Sequence, residues 1–172
     1  MNDSAPSRTG VVGTLRVEDG VGVVRMEDRY DTGPDDLWSA LTDPGRLARW
    51  VAEVEGDLSV GGVFHASFTS GWDGSGRVET CEAPRCLRVR LSPGTADETV
   101  VEAVLDPDGD GTVLVIEERG IPLPELAVHG GGWQAHVEDL RSHLAGVERA
   151  DWLARCIALT PAYRERGRDL SP

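Results

Sequence analysis

The stretch GGWQAHVEDLRSHLAG, residues 131–146, decides how this chain folds. Its large apolar side chains follow one another at intervals of four, three and four residues: Trp133, Val137, Leu140, Leu144. That spacing places them on one side of an α-helix of roughly 20 residues ending near Gly146. A helix with one apolar stripe must bury it against other elements, so the preceding segments determine the architecture.

The segment before this helix, residues 54–120, alternates apolar and polar positions as strands do. Turns are predicted at Gly71–Gly76 and at Asp106–Gly111, where glycine and aspartate cluster. Strands with two unlike faces are typical of a curved antiparallel sheet. Apolar residues share a face in three of the runs: Phe64, Ala66 and Phe68; Val101, Ala103 and Leu105; Leu114 and Ile116.

The N-terminal part predicts a hairpin followed by two short helices. Strands are expected at Val11–Val17 and Val21–Tyr30, and proline near a helix start at Pro34 and Pro44 marks the two helices. One helix cannot cover the apolar face of a flat sheet, so we expect a bent sheet that wraps around the final helix. The sequence therefore predicts an α+β fold with a curved antiparallel sheet of about six to seven strands around a long C-terminal helix.

Composition restricts the class of protein. The chain has 172 residues and a net charge of −13, which disfavours nucleic acid and anionic lipid surfaces as partners. Its apolar runs are too short for a membrane span, and three cysteines do not form a disulfide framework, so a cytoplasmic protein is expected. We expect a disordered leader over residues 1–10, one domain over 11–146 and a helical extension over 147–172.

An ordered set of motifs resembles a known family. The set begins with DDLWSALTDP at residues 35–44 and continues with LSVGG at residues 58–62, GT at residues 111–112 and GW at residues 132–133. Over about residues 13–146 the chain is similar to homologues of the activator of the 90-kDa heat-shock-protein ATPase, within the START-like (SRPBCC) superfamily that includes the birch-allergen-like proteins. The resemblance implies the helix-grip fold and a hydrophobic cavity between sheet and helix. It carries no catalytic residue with it.

Strand parity and the helix stripe predict the residues that line this cavity. The polar candidates are Asp28 and His136, with Glu118 as a carboxylate on the same face as Leu114 and Ile116. No catalytic residue, metal or cofactor is expected. The predicted lining is Met26, Tyr30, Phe64, Phe68, Leu91, Leu114, Ile116, Glu118, Trp133 and Val137.

Two patterns resemble metal-binding motifs, and neither predicts a metal site. Asp106–Gly111 with Glu117 fits the calcium-loop formula, but its flanks alternate as strands, so an Asp/Gly hairpin accounts for the same residues and leaves only adventitious calcium binding open. His129, His136 and His143 recur every seven residues, about 10 Å apart along a helix, which is too far for one metal ion.

Three functions remain open from the sequence. The first is non-catalytic binding of a hydrophobic or amphipathic small molecule. The second is a polyketide cyclase/aromatase-like or hydrolase-like enzyme that uses Glu118, Tyr30, Asp28 and His136 in the same cavity. The third is a chaperone-interacting protein, as the family name implies.

A homodimer is one alternative for the oligomeric state. Gly130–Gly132 is interpreted as a flexible lead-in to the last helix, and Trp152 and Tyr163 either cover the cavity or pack outside it.

Overall fold

The computed structural model describes residues 12–170 of the chain. The predicted leader, residues 1–10, lies outside the described residues. The described chain folds into one antiparallel sheet of eight strands with helices on its concave face. The α+β helix-grip prediction is confirmed, and the strand count is slightly higher than the predicted six to seven.

The sheet begins with a hairpin, β1 (Gly13–Glu18) and β2 (Val21–Tyr30), followed by α1 (Pro34–Thr42) and α2 (Pro44–Leu47). Six further strands follow in order along the chain. Their spatial order is β1-β2-β8-β7-β6-β5-β4-β3, so the first hairpin pairs with the last strand. The strands are β3 (Ala52–Gly56), β4 (Val63–Phe68), β5 (Asp73–Glu82), β6 (Cys86–Leu91), β7 (Thr99–Asp108) and β8 (Gly111–Ile121).

The predicted turn at Gly71–Gly76 is shorter than expected, because β5 already begins at Asp73. Gly74 and Gly76 pair with Ala66 and Phe64 on β4, so they are strand residues. The sequence pattern could not show this, because glycine is a turn residue by default and its use within a strand depends on what packs over it.

The Asp/Gly segment at residues 106–111 forms the hairpin between β7 and β8. Asp108 pairs with Gly111 across the two-residue loop, and Gly109 adopts a positive φ of 61°. Arg29 binds the carboxylates of Asp108 at 2.9 Å and Asp110 at 2.8 Å. Glu117 lies on β8 and accepts a hydrogen bond from Arg16 at 2.7 Å.

The two C-terminal helices, α3 (Leu126–Leu144) and α4 (Trp152–Gly167), pack against each other. The structure corrects the interpretation of Gly130–Gly132, which lies inside α3 and not ahead of it. A Cβ on Gly130 would lie only 2.5 Å from the ring of Tyr163, which is fully buried on α4. These glycines therefore permit close packing of α3 and α4.

Replacing Gly130 with alanine should destabilise the protein by about 2 kcal/mol, because the buried Tyr163 ring cannot move away from the new methyl group. Gly167→Ala is the matched control, since a Cβ there would meet Leu15 Cδ1 at an ordinary 3.6 Å. Alanine's better helix propensity should leave this variant neutral or slightly stabilised. Urea unfolding measures both variants, and equal stabilities would contradict close α3–α4 packing as the role of Gly130.

Candidate functional site

One half of the concave face is filled by direct packing against α3. The hydroxyl of Tyr30 on β2 donates to the carbonyl of Val137 at 3.4 Å, and the sulfur of Met26 lies 3.7 Å from the hydroxyl of Tyr163. Leu114 and Ile116 are buried on β8, the next strand. These five predicted lining residues therefore belong to the core: Met26, Tyr30, Leu114, Ile116 and Val137.

Asp28 lies at the rim of this packed half. Its carboxylate accepts a hydrogen bond from Arg141 on α3 at 2.6 Å, and the side chain of Arg141 is about half exposed. The guanidinium of Arg141 also lies 4.7 Å from the centre of the Tyr30 ring. Asp28 and Tyr30 thus help to hold α3 on the sheet, at a distance from the cavities described next.

The other half of the concave face encloses a cavity of about 590 Å³. Its wall includes five of the predicted residues: Phe68, Leu91, Glu118, Trp133 and His136. The wall also includes residues outside the predicted lining, among them Trp72, Thr99, His129 and Trp152. This volume is within the range of ordinary small-molecule sites. The wall combines aromatic rings with polar and acidic side chains, the latter including Asp73, Asp97 and Glu125.

Two small residues on β5 lie beneath aromatic rings in this half. Gly74 and Gly76 on β5 face inward opposite Ala66 and Phe64, and the aromatic rings of Trp72 and Phe64 lie over the two glycines. A Cβ on Gly76 would lie 2.3 Å from the Phe64 ring. The two glycines therefore leave room for these rings close to the sheet.

Glu118 is a buried carboxylate near the C-terminal end of β8. Glu118 accepts hydrogen bonds through one oxygen, Oε2, from Trp133 Nε1 at 2.6 Å and from His129 Nδ1 at 3.0 Å. Burial by itself would raise the pKa of Glu118, but the hydrogen bonds from His129 and Trp133 outweigh burial and lower it. Burial of His129 would lower its pKa, but the hydrogen bond and the charge of Glu118 raise the His129 pKa overall. Both shifts favour the ionic form of the pair, and His129 lies at the solvent-facing rim.

His136 lies one turn beyond Trp133 on α3, among aromatic rings. Its ring centre is 5.5 Å from Trp133, 5.1 Å from Trp152 and 6.1 Å from Phe68. Burial lowers the pKa of His136 to about 4, against a weaker opposing interaction with the Trp50 backbone, so the imidazole is neutral at pH 7. No hydrogen bond of ordinary geometry reaches its buried Nδ1 from the described residues.

A second, smaller cavity of about 150 Å³ lies between α1–α2 and strands β3 to β6. Phe64, a predicted lining residue, belongs to this cavity. Phe68 and Leu91 contribute to the walls of both cavities. Its other lining residues include Leu41, Leu47, Ala66, Leu87 and Val89.

The cavity residues that were not predicted carry no strong sequence motif of their own. His129 precedes Trp133 by four residues, so the two lie on the same side of α3. The sequence did not indicate this, because α3 starts at Leu126, ahead of the glycines that were interpreted as its lead-in. Trp152 reaches the cavity because α4 folds back along α3, where its indole N–H donates to the carbonyl of Gly132 at 3.2 Å. Tyr163, by contrast, is buried between α3 and β1.

Asp139, on α3, is a second buried carboxyl. It is 2% exposed, one oxygen has no hydrogen-bond partner among the described residues, and burial raises its pKa to about 6. Folding is thus opposed by the Asp139 charge above pH 6. Asp139→Asn should stabilise the protein by about 1–2 kcal/mol at pH 7. The gain should be clearly smaller at pH 4.5, where wild-type Asp139 is protonated when folded but mostly ionised when unfolded, and it should vanish only below pH 3.8. Unfolding at both pH values measures this, and an equal gain at each would refute the assignment.

Comparison with known proteins agrees with the fold. The sequence model of the family described as "Activator of Hsp90 ATPase homolog 1-like protein" matches residues 31–145. No curated protein matches the chain significantly. Among the described residues, no helix combines the length and apolarity that a membrane crossing requires.

Solved structures of similar proteins cover most of the chain. CalU16 from Micromonospora echinospora is 28% identical with a TM-score of 0.76, over 91% of this chain and 96% of CalU16. MLL2253 from Mesorhizobium loti is 25% identical with a TM-score of 0.66, over 73% of this chain and 98% of its own. DynU16, a protein in the dynemicin biosynthetic locus, is 27% identical with a TM-score of 0.68, over 78% of this chain and 51% of DynU16.

Proposed function

This chain belongs to the Activator of Hsp90 ATPase homolog 1-like family, and on that premise we propose that it binds a small amphipathic molecule, without turnover, in the larger cavity. The observation that carries the proposal is the 590 Å³ cavity in which a buried neutral imidazole is surrounded by aromatic rings. That wall suits a ligand with an aromatic or apolar body and one hydroxyl group.

The chemistry of His136 supports a hydroxyl-bearing ligand. A neutral imidazole has one N–H donor and one lone-pair acceptor. The Trp50 backbone takes the donor, so a ligand hydroxyl would donate to the unpartnered Nδ1. Trp133 and Trp152 flank the imidazole and provide flat surfaces for an aromatic ring. DynU16 belongs to a biosynthetic locus, which favours a small-molecule ligand over a protein partner.

The test compares 1-naphthol with naphthalene, which lacks the hydroxyl group, by calorimetric titration. His136→Phe keeps an aromatic ring but removes both nitrogens, so 1-naphthol should bind about tenfold more weakly, while naphthalene binding stays unchanged. Val63→Phe, on the exposed outer face of β4, is the control and should leave both affinities unchanged. Absence of saturable 1-naphthol binding to the wild type would overturn the proposal.

The Glu118–His129 pair favours an enzyme as the second candidate. A carboxylate that orients an imidazole at a cavity rim is an arrangement used for proton transfer. Of the four groups considered from the sequence, however, only Glu118 and His136 line the cavity, while Tyr30 and Asp28 hold α3. Recovery of a bound ligand chemically unchanged after incubation would support binding alone. A product that disappears with Glu118→Gln would support the enzyme.

A further inference from the structure

The structure assigns a second binding site to the 150 Å³ cavity beneath α1 and α2: we infer that it takes a short alkyl or phenyl group. This deepens the proposed function, on which it rests for the identity of the polar end. The complete ligand would be an amphiphile with a hydroxylated aromatic head at His136 and a short apolar tail beyond Phe68.

The wall of the smaller cavity is almost entirely apolar. It is formed by side chains such as Leu41, Leu47, Leu87 and Val89, and its polar members are limited to Thr42 and Cys81. An apolar cavity of this size offers water too few hydrogen-bond partners, and comparable protein cavities take up benzene or xenon. The space therefore suits a group of about six carbon atoms and excludes a charged one.

The position of Phe68 connects this space to the proposed ligand head. Phe68 lines both cavities, and its ring lies edge-on to Trp72 at 5.3 Å and 6.1 Å from His136. Phe68, together with Leu91, therefore forms the wall shared by the two cavities. Phe68 is half-buried, and the proposed ligand requires its side chain to change rotamer where the head meets the tail.

The walls also define the order of the ligand along its length. Polar groups that face a ligand occur on the larger side, where Glu118, His129 and His136 lie, whereas the smaller side presents mainly aliphatic groups. A hydroxyl group placed in the smaller cavity would lose its hydrogen bonds with water and gain few in return. A ligand with its hydroxyl at the opposite end from its tail satisfies both halves.

Benzene is the probe for the smaller cavity, followed through methyl resonances of the leucines and valines in its wall. We expect saturable shifts of Leu41, Leu47 and Val89 in the wild type. Ala66→Leu, which fills the cavity from β4, should weaken benzene binding at least tenfold, and Val89→Phe fills it from β6 as an independent variant. Val63→Leu adds bulk on the exposed outer face of β4 and should leave benzene binding unchanged.

A series of 4-alkylphenols from methyl to butyl tests the connection between the two cavities. Affinity for the wild type should rise by up to about fourfold for each methylene group. The same series should be flat in Ala66→Leu.

The inference is overturned if benzene shifts no methyl group of the smaller cavity, or if the alkyl series is equally steep in Ala66→Leu. Benzene binding without 1-naphthol binding would refute the proposed function and leave the apolar site standing. The reverse result would refute the apolar site alone.

Discussion

A chain that ends at Gly146 should be less stable than the full chain by at least about 5 kcal/mol, which corresponds to a drop in melting temperature of about 10–20 °C. Its physical basis is the burial of Cys156, Leu159 and Tyr163 on α4, each of which contributes about 1.5–3 kcal/mol. The Tyr163 hydroxyl also accepts from the Gly13 backbone at 2.9 Å and donates to Gln134 at 2.7 Å. Thermal unfolding followed by circular dichroism measures the loss.

The control for this truncation is a chain that ends at Gly167, which keeps all of α4. It should melt within a few degrees of the full chain. If both truncated chains melt alike, α4 is an appendage, as the division into residues 11–146 and 147–172 implies. We propose instead that the folding unit includes α4, because Arg166 also binds the carbonyl of Gly13 at 2.7 Å.

Replacing His129 with alanine should cost about 3 kcal/mol at pH 7, because it leaves the buried carboxylate of Glu118 without its cationic partner. The His129 pKa is raised, so its contribution is complete below pH 6.5 and is lost as pH rises through the folded value. The Glu118 pKa is lowered, so its contribution is present above pH 4.5 and is lost in acid. The loss should therefore be smaller at pH 4.5, where Glu118 in the variant takes up a proton.

Two comparisons make this prediction specific. The double variant His129→Ala/Glu118→Gln should recover more than half of the lost stability, because no charge remains buried. His65→Ala should cause no measurable loss, although His65 also lies 3.1 Å from a carboxylate, Asp73, because that pair is exposed. Guanidinium unfolding at pH 4.5 and 7 tests all of these variants. A double variant no more stable than His129→Ala would contradict the buried-charge explanation.

Much of the fold could be predicted from local patterns. The interval of four, three and four between apolar residues predicts α3, which spans Leu126–Leu144. Period-two alternation predicts the long strands, and the hairpin at Gly109 follows from its turn residues. The edge strand β3 begins at Ala52, two residues before the predicted strand-like segment, and its pattern is weak because Ala52–Gly56 carries two glutamates and only one large apolar side chain.

Sequence periodicity predicts only part of the candidate site. Strand parity correctly puts Met26, Ile116 and Glu118 on one face, because alternation is a property of the backbone. Parity cannot say that α3 and α4 lie directly on β1 and β2, whereas β3 to β6 face α1, α2 and the two cavities. Met26 is therefore core, whereas Glu118, on the same face, lines a cavity.

The sequence by itself determined the helix and most strands, the side of each strand that faces inward and the sign of the overall charge, since these depend on residues near one another in the chain. Only the tertiary structure decided that His129 pairs with Glu118, that Trp152 folds back over His136 and that glycines on β5 make room for the rings of Trp72 and Phe64. Those contacts join residues whose positions are set by how the sheet bends and where the helices cross it.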